Sequence, residues 1–338
     1  MLRSSRTMRV RYQRQAGYEL LLSSLTPAAR PVLGRYFNEF FDEKPRWTRN
    51  GPSGHAVARD MKERLALIAC LSLFPSLVAA EPSADDLKTR QAELQKKLAG
   101  QGYTVLIEGS FVVVGDEGEK TVKNRSTGFF RWTTGLLEKD FFSKRPDKII
   151  EVWLFKNEKT YRKGAKKFFN DEPETPYGYY SPEDDALIMN IGPGAGTLSH
   201  ELVHPYMEAN FPNVPSWFNE GLASLYEQPR EKNGHMWGTT NWRLPGLQKG
   251  IRDKSIPGIA TMLKTTRDGF YEASYDSYAY ARFLCQYLQD TGKLREFYTK
   301  FLADTKDRTG AAALAAVLGQ DLETFDPIFR KWALALKR

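Results

Sequence analysis

Apolar and polar positions follow two regimes along the chain. Over residues 85–100 apolar positions recur at helical spacing and Gly100 ends the run, which predicts a helix. Residues 103–107 and 111–114 are strand-like apolar runs split by Glu108-Gly109-Ser110, as in a hairpin. Residues 119–142 return to a helical period, with Phe129, Phe130, Trp132, Leu136 and Leu137 as the core stripe. Residues 149–155 read as a strong strand and lead into a basic helix around 160–169. A turn-rich stretch, 171–185, separates it from a short strand at 186–190, which closes on the glycine loop Gly192-Pro193-Gly194-Ala195-Gly196. From Thr197 onward the pattern is helices and loops, with no strand. The expected fold class is therefore α+β: a mixed-sheet lobe over 81–196, then a mostly helical lobe over 197–338.

Composition fits this picture. The 338 residues are 41% apolar and 27% charged, which excludes collagen-like, coiled-coil and wholly disordered chains. A net charge of +8 raises nucleic acid or an anionic membrane as a partner, but the charge is not spread evenly. Residues 1–80 hold 13 of the 49 basic and 6 of the 41 acidic residues, leaving 36 and 35 for residues 81–338. A nearly neutral body without a basic aromatic motif argues against a nucleic-acid binder.

The boundary near residue 80 has the three-part build of a secretory signal. Met61-Lys62-Glu63-Arg64 is a short basic run, residues 65–77 are apolar, and Val78-Ala79-Ala80 puts small residues just before Glu81. The stretch 61–80, broken by Pro75, is short for a transmembrane helix of about 20 residues, so no stable membrane insertion is expected after cleavage. Its alternatives are a buried core helix and a lipid anchor at Cys70, which ends the lipobox-like Leu67-Ile68-Ala69-Cys70. If Met61 is the true start, residues 1–60 are an untranslated upstream segment. The expected location is periplasmic or extracellular. Cys285 is then the only cysteine of the exported chain, and its apolar neighbours predict a buried, inert thiol.

The candidate chemistry follows the glycine loop. Residues 81–338 contain three histidines, and two of them stand in His200-Glu201-Leu202-Val203-His204. Chance gives such a pentapeptide in a chain of this composition with a probability on the order of 0.003. Residues i and i+4 share a helix face, so both imidazoles can reach one Zn²⁺. Glu201, turned by about 100°, can take a proton from water there, while Leu202 and Val203 point into the core. A catalytic zinc needs a third protein ligand. Residues 211–215 form a loop, Ser216 can cap a second helix, and Glu220 falls in its first turn, 16 positions after His204. If the loop lets this helix fold back beside the first, Glu220 reaches the metal; otherwise it is a solvated acid favoured at a helix N-terminus. Pro205 is expected to kink the first helix just past the second histidine; both histidines precede the kink, so the site survives it, and a sharp turn after one more residue would suit the short gap to Glu220. His235 is read as a loop residue without a ligand role, and Trp237 and Trp242 as loop aromatics that either line a pocket or anchor their loops.

His200-Glu201-Leu202-Val203-His204 followed by Pro215-Ser216-Trp217-Phe218-Asn219-Glu220-Gly221-Leu222-Ala223 resembles the peptidase MA-like group of gluzincin metallopeptidases, distant relatives of thermolysin. Their pattern is His-Glu-x-x-His, a turn, then Trp-x-x-Glu-Gly-hydrophobic-Ala; the gap between His204 and Glu220 is shorter than in thermolysin. The resemblance implies a zincin-like fold with the active-site helix between the two lobes. It implies one Zn²⁺ held by His200, His204 and Glu220, with Glu201 as general base. It also implies an oxyanion donor, for which Tyr278 in Tyr278-Ala279-Tyr280-Ala281-Arg282-Phe283-Leu284 occupies the motif position. The strand at 186–190 would be the sheet edge that pairs with an extended peptide. The expected activity is zinc-dependent hydrolysis of a peptide or protein substrate. A non-catalytic, zinc-containing cell-envelope binding protein is the competing expectation.

Overall fold

The computed structural model describes residues 81–337; the segment 1–60, the signal-like stretch 61–80 and Cys70 lie outside the described residues. The first helix, α1 (Ala84–Lys97), starts at Ser83, whose hydroxyl accepts from the Asp86 amide while the Asp86 carboxylate accepts from the Ser83 amide. Strands β1 (Thr104–Glu108) and β2 (Phe111–Gly115) form the expected antiparallel hairpin. Helix α2 (Glu119–Arg125) continues through a π-helical turn, Ser126–Phe130, into α3 (Arg131–Asp140). Then come β3 (Ile150–Phe155), α4 (Glu158–Gly164) with its own π turn Ala165–Phe169, β4 (Gly178–Ser181) and β5 (Ala186–Asn190).

These strands make one mixed five-stranded sheet in the order β1-β2-β3-β5-β4. The pairs β2–β3 and β3–β5 are parallel, joined by helical crossovers as parallel pairing requires, and the two outer pairs are antiparallel. Strands β2, β3 and β5 are buried on both faces, which explains their unbroken apolar sequences. Val112, Val114, Trp153, Phe155 and Ile188 pack against Leu87 and Leu94 of α1 and Tyr161 of α4. Residues one position away, Val113, Val152, Leu154, Leu187 and Met189, join the core shared with α3 and the helical lobe.

Several expectations need correction. The strand Ala186–Asn190 exists with the expected bounds but is not the sheet edge. Four residues from the turn-rich stretch, Gly178–Ser181, pair along it as β4 and take the edge position. The helical lobe also contains a hairpin, β6 (Pro229–Lys232) and β7 (His235–Gly238). Its two-residue turn is Asn233-Gly234, with φ of 54° and 72°, the combination that type I′ hairpin turns favour. His235 therefore lies on a strand, and its Nδ1 sits 2.5 Å from an Asp140 carboxylate oxygen.

Helix α5 (Gly196–Asn210) carries His-Glu-x-x-His, and α6 (Ser216–Leu225) carries Glu220. Ser216 is the first helical residue, with Pro215 at the cap position and no side-chain cap. Pro205 does not end α5, which runs on to Asn210. The residues after the proline are held by burial: Tyr206 and Met207 are in the core, and the Tyr206 hydroxyl donates to Glu138 at 2.6 Å. The chain turns back only at 211–215. The remaining helices are α7 (Leu244–Arg252), α8 (Ile259–Met262), α9 (Arg267–Tyr271), α10 (Ser277–Asp290), α11 (Leu294–Ala303), α12 (Ala311–Leu318) and α13 (Leu322–Ala335). Among the described residues no helix is long and apolar enough to cross a membrane. Cys285, on α10, is fully buried as expected, and burial pushes its thiol pKa up.

Helix α6 is pressed from two sides. Trp217 and Phe218 pack against Phe297 and Phe301 of α11, and the Trp217 indole donates to the Thr309 carbonyl at 2.9 Å. On the α10 side, a Cβ at Gly221 would stand 2.9 Å from the Ala281 carbonyl oxygen and 3.0 Å from the Cys285 sulfur. Glycine beside Glu220 therefore sets how closely α6 approaches α10. Gly221→Ala should destabilise the fold by about 1–3 kcal/mol, an overpacking cost that a denaturant titration would measure.

Candidate metal centre

The site is built where α5 and α6 face each other. Gly196 opens α5, and a Cβ there would lie 2.2 Å from the Glu227 carbonyl oxygen. Ser199, fully buried, donates its hydroxyl to the Tyr226 carbonyl at 2.5 Å. The first turn of α5 is thereby fastened to the segment just after α6. Leu202 and Val203 are buried in the core, which turns His200, Glu201 and His204 toward the cleft.

The imidazoles converge on one carboxylate oxygen. Oε2 of Glu220 lies 3.3 Å from His200 Nε2 and 3.9 Å from His204 Nε2. Ligand atoms around a tetrahedral Zn²⁺ with bonds of 2.0–2.1 Å stand about 3.4 Å apart, so the spacing fits such an ion. That oxygen is buried and has no hydrogen-bond partner. Its neighbour Oε1 accepts from the Tyr271 hydroxyl at 2.6 Å, so the unpartnered oxygen is the one between the imidazoles. His200, Glu201 and His204 also offer ligand atoms within 4.8 Å of one another and form a group that could hold a metal ion.

Surrounding groups fix the ligand orientations. Asn219 Oδ1 stands 3.1 Å from His204 Nδ1, so the Nδ1–H tautomer donates to it and leaves the Nε2 lone pair toward the cleft. Glu227 Oε1 lies 3.5 Å from His200 Nδ1, beyond a good hydrogen bond but close enough for charge interaction. Glu227 is itself gripped by Arg243 Nη2 at 2.6 Å and by the Asn241 amide at 2.9 Å. Glu201 Oε2 accepts from the Tyr180 backbone amide of β4 at 3.0 Å, which ties the sheet edge to the helix. Tyr278 lies in the same cleft, with its ring 6.1 Å from that of Tyr271 and Arg243 5.2 Å above it.

The residues given a ligand or catalytic role in the sequence thus line one cleft of about 1060 Å³: His200, Glu201, His204, Glu220 and Tyr278. His235 and Trp237 line a different pocket, and Trp242 opens onto the cleft, 51% exposed. Sequence reasoning missed Asn219, Glu227, Tyr271 and Arg243. Glu227 lies in the turn just after α6, seven positions past Glu220, a spacing that a helix continued to that point would have flagged. Tyr271 had no local signal.

Charge is crowded here. Burial raises the Glu201 pKa, and the nearby Glu220 carboxylate adds to the rise. Burial also opposes ionisation of Glu220, but His204, His200 and the Tyr271 hydroxyl bring its pKa down to about 2. Burial disfavours a charged His200, yet Glu220 and Glu227, with Glu201 behind them, raise its pKa to about 10. The chain matches no family model and no curated protein at a significant level.

Two outcomes follow for metal binding. A raised pKa favours a protonated His200 at pH 7, whereas a metal ligand must be neutral, so uptake of a divalent metal ion should release a proton and affinity should fall as pH falls. Calorimetry in buffers of different ionisation enthalpy measures that proton. Glu227→Gln should weaken divalent-metal binding about 10–100-fold in a competition titration while leaving the circular-dichroism spectrum unchanged.

Proposed function

We propose that the protein is an exported zinc-dependent peptidase that hydrolyses peptide bonds in the α5–α6 cleft. The observation that carries this reading is the buried, unpartnered Glu220 oxygen lying 3.3 Å and 3.9 Å from two imidazole nitrogens. A buried carboxylate oxygen that faces only imidazole nitrogens needs positive charge against it, from an imidazolium or from a metal ion that takes its place. Two imidazoles and one carboxylate are the donor set of a catalytic zinc with an open position. His200, His204 and Glu220 would hold the ion, leaving Glu201 free to act.

When bound, Zn²⁺ supplies an acidified water and polarises the substrate carbonyl. Glu201 takes up the proton of the attacking water and returns it to the departing amine. Its raised pKa suits that exchange, and the Tyr180 amide at 3.0 Å holds one carboxylate oxygen in place. Tyr278 donates its hydroxyl to the developing oxyanion. Edge strand β4 offers its open side to an extended peptide, since the strand order ends there. This combination of sheet edge, helix and facing carboxylate helix supports the zincin-like description of the fold. The signal-like stretch 61–80 supports export to the periplasm or beyond, and the near-neutral body argues for a peptide rather than a nucleic-acid substrate.

In the full chain, metal analysis should find one zinc per molecule, and a chelator should abolish cleavage of a peptide library. Glu201→Gln should keep the zinc while lowering kcat about 10²–10⁴-fold, the share of a general base. Equal activity in that variant would refute the mechanism. A zinc-loaded wild type that cleaves nothing in the library would leave the non-catalytic binding protein as the better reading.

A further inference from the structure

The cleft contains a cation that the proposed hydrolytic chemistry does not use. Only two of the lining residues are Arg or Lys, namely Arg243 and Arg267. Arg243 is committed to Glu227, which it contacts through both Nε and Nη2. The remaining acid of the lining outside the metal site, Glu208, is met by the Tyr180 hydroxyl at 3.0 Å and by Lys148 at 3.5 Å. Arg267 forms no ion pair with an acid among the described residues and is exposed to the cleft. Its guanidinium is nevertheless positioned, with its central carbon 5.6 Å from the centre of the Tyr271 ring. That ring is fixed in turn by its hydroxyl, 2.6 Å from Glu220 Oε1.

The relay from Glu220 through Tyr271 to Arg267 sets a length. The guanidinium lies within about three extended residues of the Glu220 carboxylate, at 3.3–3.6 Å per residue. A planar fork with five donors, held against an aromatic face and free of protein acids, is matched by a carboxylate. We infer that Arg267 receives a substrate carboxylate within about three residues of the bond that is cut. The inference rests on the peptidase reading of the same cleft. The carboxylate has two sources, the free C-terminus of a short peptide or an Asp or Glu side chain inside a longer one. The first would make the enzyme a carboxypeptidase releasing short fragments, the second an endopeptidase selective for acidic sequences.

The test measures binding and cleavage separately. Calorimetry on the zinc-loaded, full-length Glu201→Gln protein would compare one acetylated hexapeptide as free acid and as C-terminal amide. A second set of amidated hexapeptides would carry a single Asp at successive positions. We expect one carboxylate-bearing set to bind about 10–100-fold tighter than the neutral peptide, the range of a charge-assisted pair. That advantage should vanish in Arg267→Met and return in part in Arg267→Lys, which keeps the charge without the fork. In the otherwise wild-type protein, the same Arg267 substitutions should raise KM with little change in kcat.

Equal binding of acid and neutral peptides, or an advantage that survives in Arg267→Met, overturns the inference. Cleavage by wild type with no carboxylate preference overturns it while leaving hydrolysis standing. An Arg267-dependent preference in a protein that cleaves nothing supports the carboxylate contact but overturns its tie to a cleaved bond, together with the peptidase reading.

Discussion

Glu201, Glu220 and Glu227 are buried around the same pair of imidazoles, and this electrostatic crowding constrains everything built near it. Carboxylates do not stay ionised away from water without positive charge or several donors. Arg243 and Asn241 satisfy Glu227, a strand amide reaches Glu201, and a tyrosine hydroxyl reaches one oxygen of Glu220. The other Glu220 oxygen is left facing two nitrogens. A divalent cation at that point would neutralise the cluster and relieve the proton demand placed on His200.

The scaffold brings these groups together through close backbone approaches rather than long side chains. Gly196 lets α5 begin against the Glu227 carbonyl, and Gly221 lets α6 lie against α10. Burial of Trp217 and Phe218 between α6 and α11 then leaves the opposite side of the helix toward the cleft. The sheet adds one backbone contact, from Tyr180 of its edge strand to Glu201, so the orientation of that carboxylate depends on β4 pairing correctly along β5. The histidine–carboxylate cluster, helix packing and sheet edge are therefore energetically linked, although the sequence separates them by tens of residues.

Much of the fold was legible because local patterns and tertiary demands agree. The doubly buried strands Ile150–Phe155 and Ala186–Asn190 are continuous apolar runs, and the first hairpin is marked by its glycine turn. Where the local pattern is weak, reading failed. Gly178–Ser181 is short, contains glycine, and becomes a strand only because β5 supplies a pairing partner. The β6–β7 hairpin was hidden by its polar, exposed first strand and the shortness of both, although its Asn233-Gly234 turn is a strong local signal. The proline in α5 was expected to kink the helix; the helix runs on past it to Asn210, with Tyr206 and Met207 buried beyond the lost hydrogen bond.

The sequence by itself determined the reactive residue types and their local spacing. His200 and His204 share a face because a helix repeats every 3.6 residues, and that period is a property of the backbone. Only the tertiary structure decided which groups stand around them. Glu227, Arg243 and Tyr271 reach the site through the docking of the segment after α6, the loop after β7 and α9 onto α5. The same docking leaves Arg267 in the cleft without an acidic partner among the described residues. Such partnerships depend on packing between elements distant in sequence, and no local period encodes them.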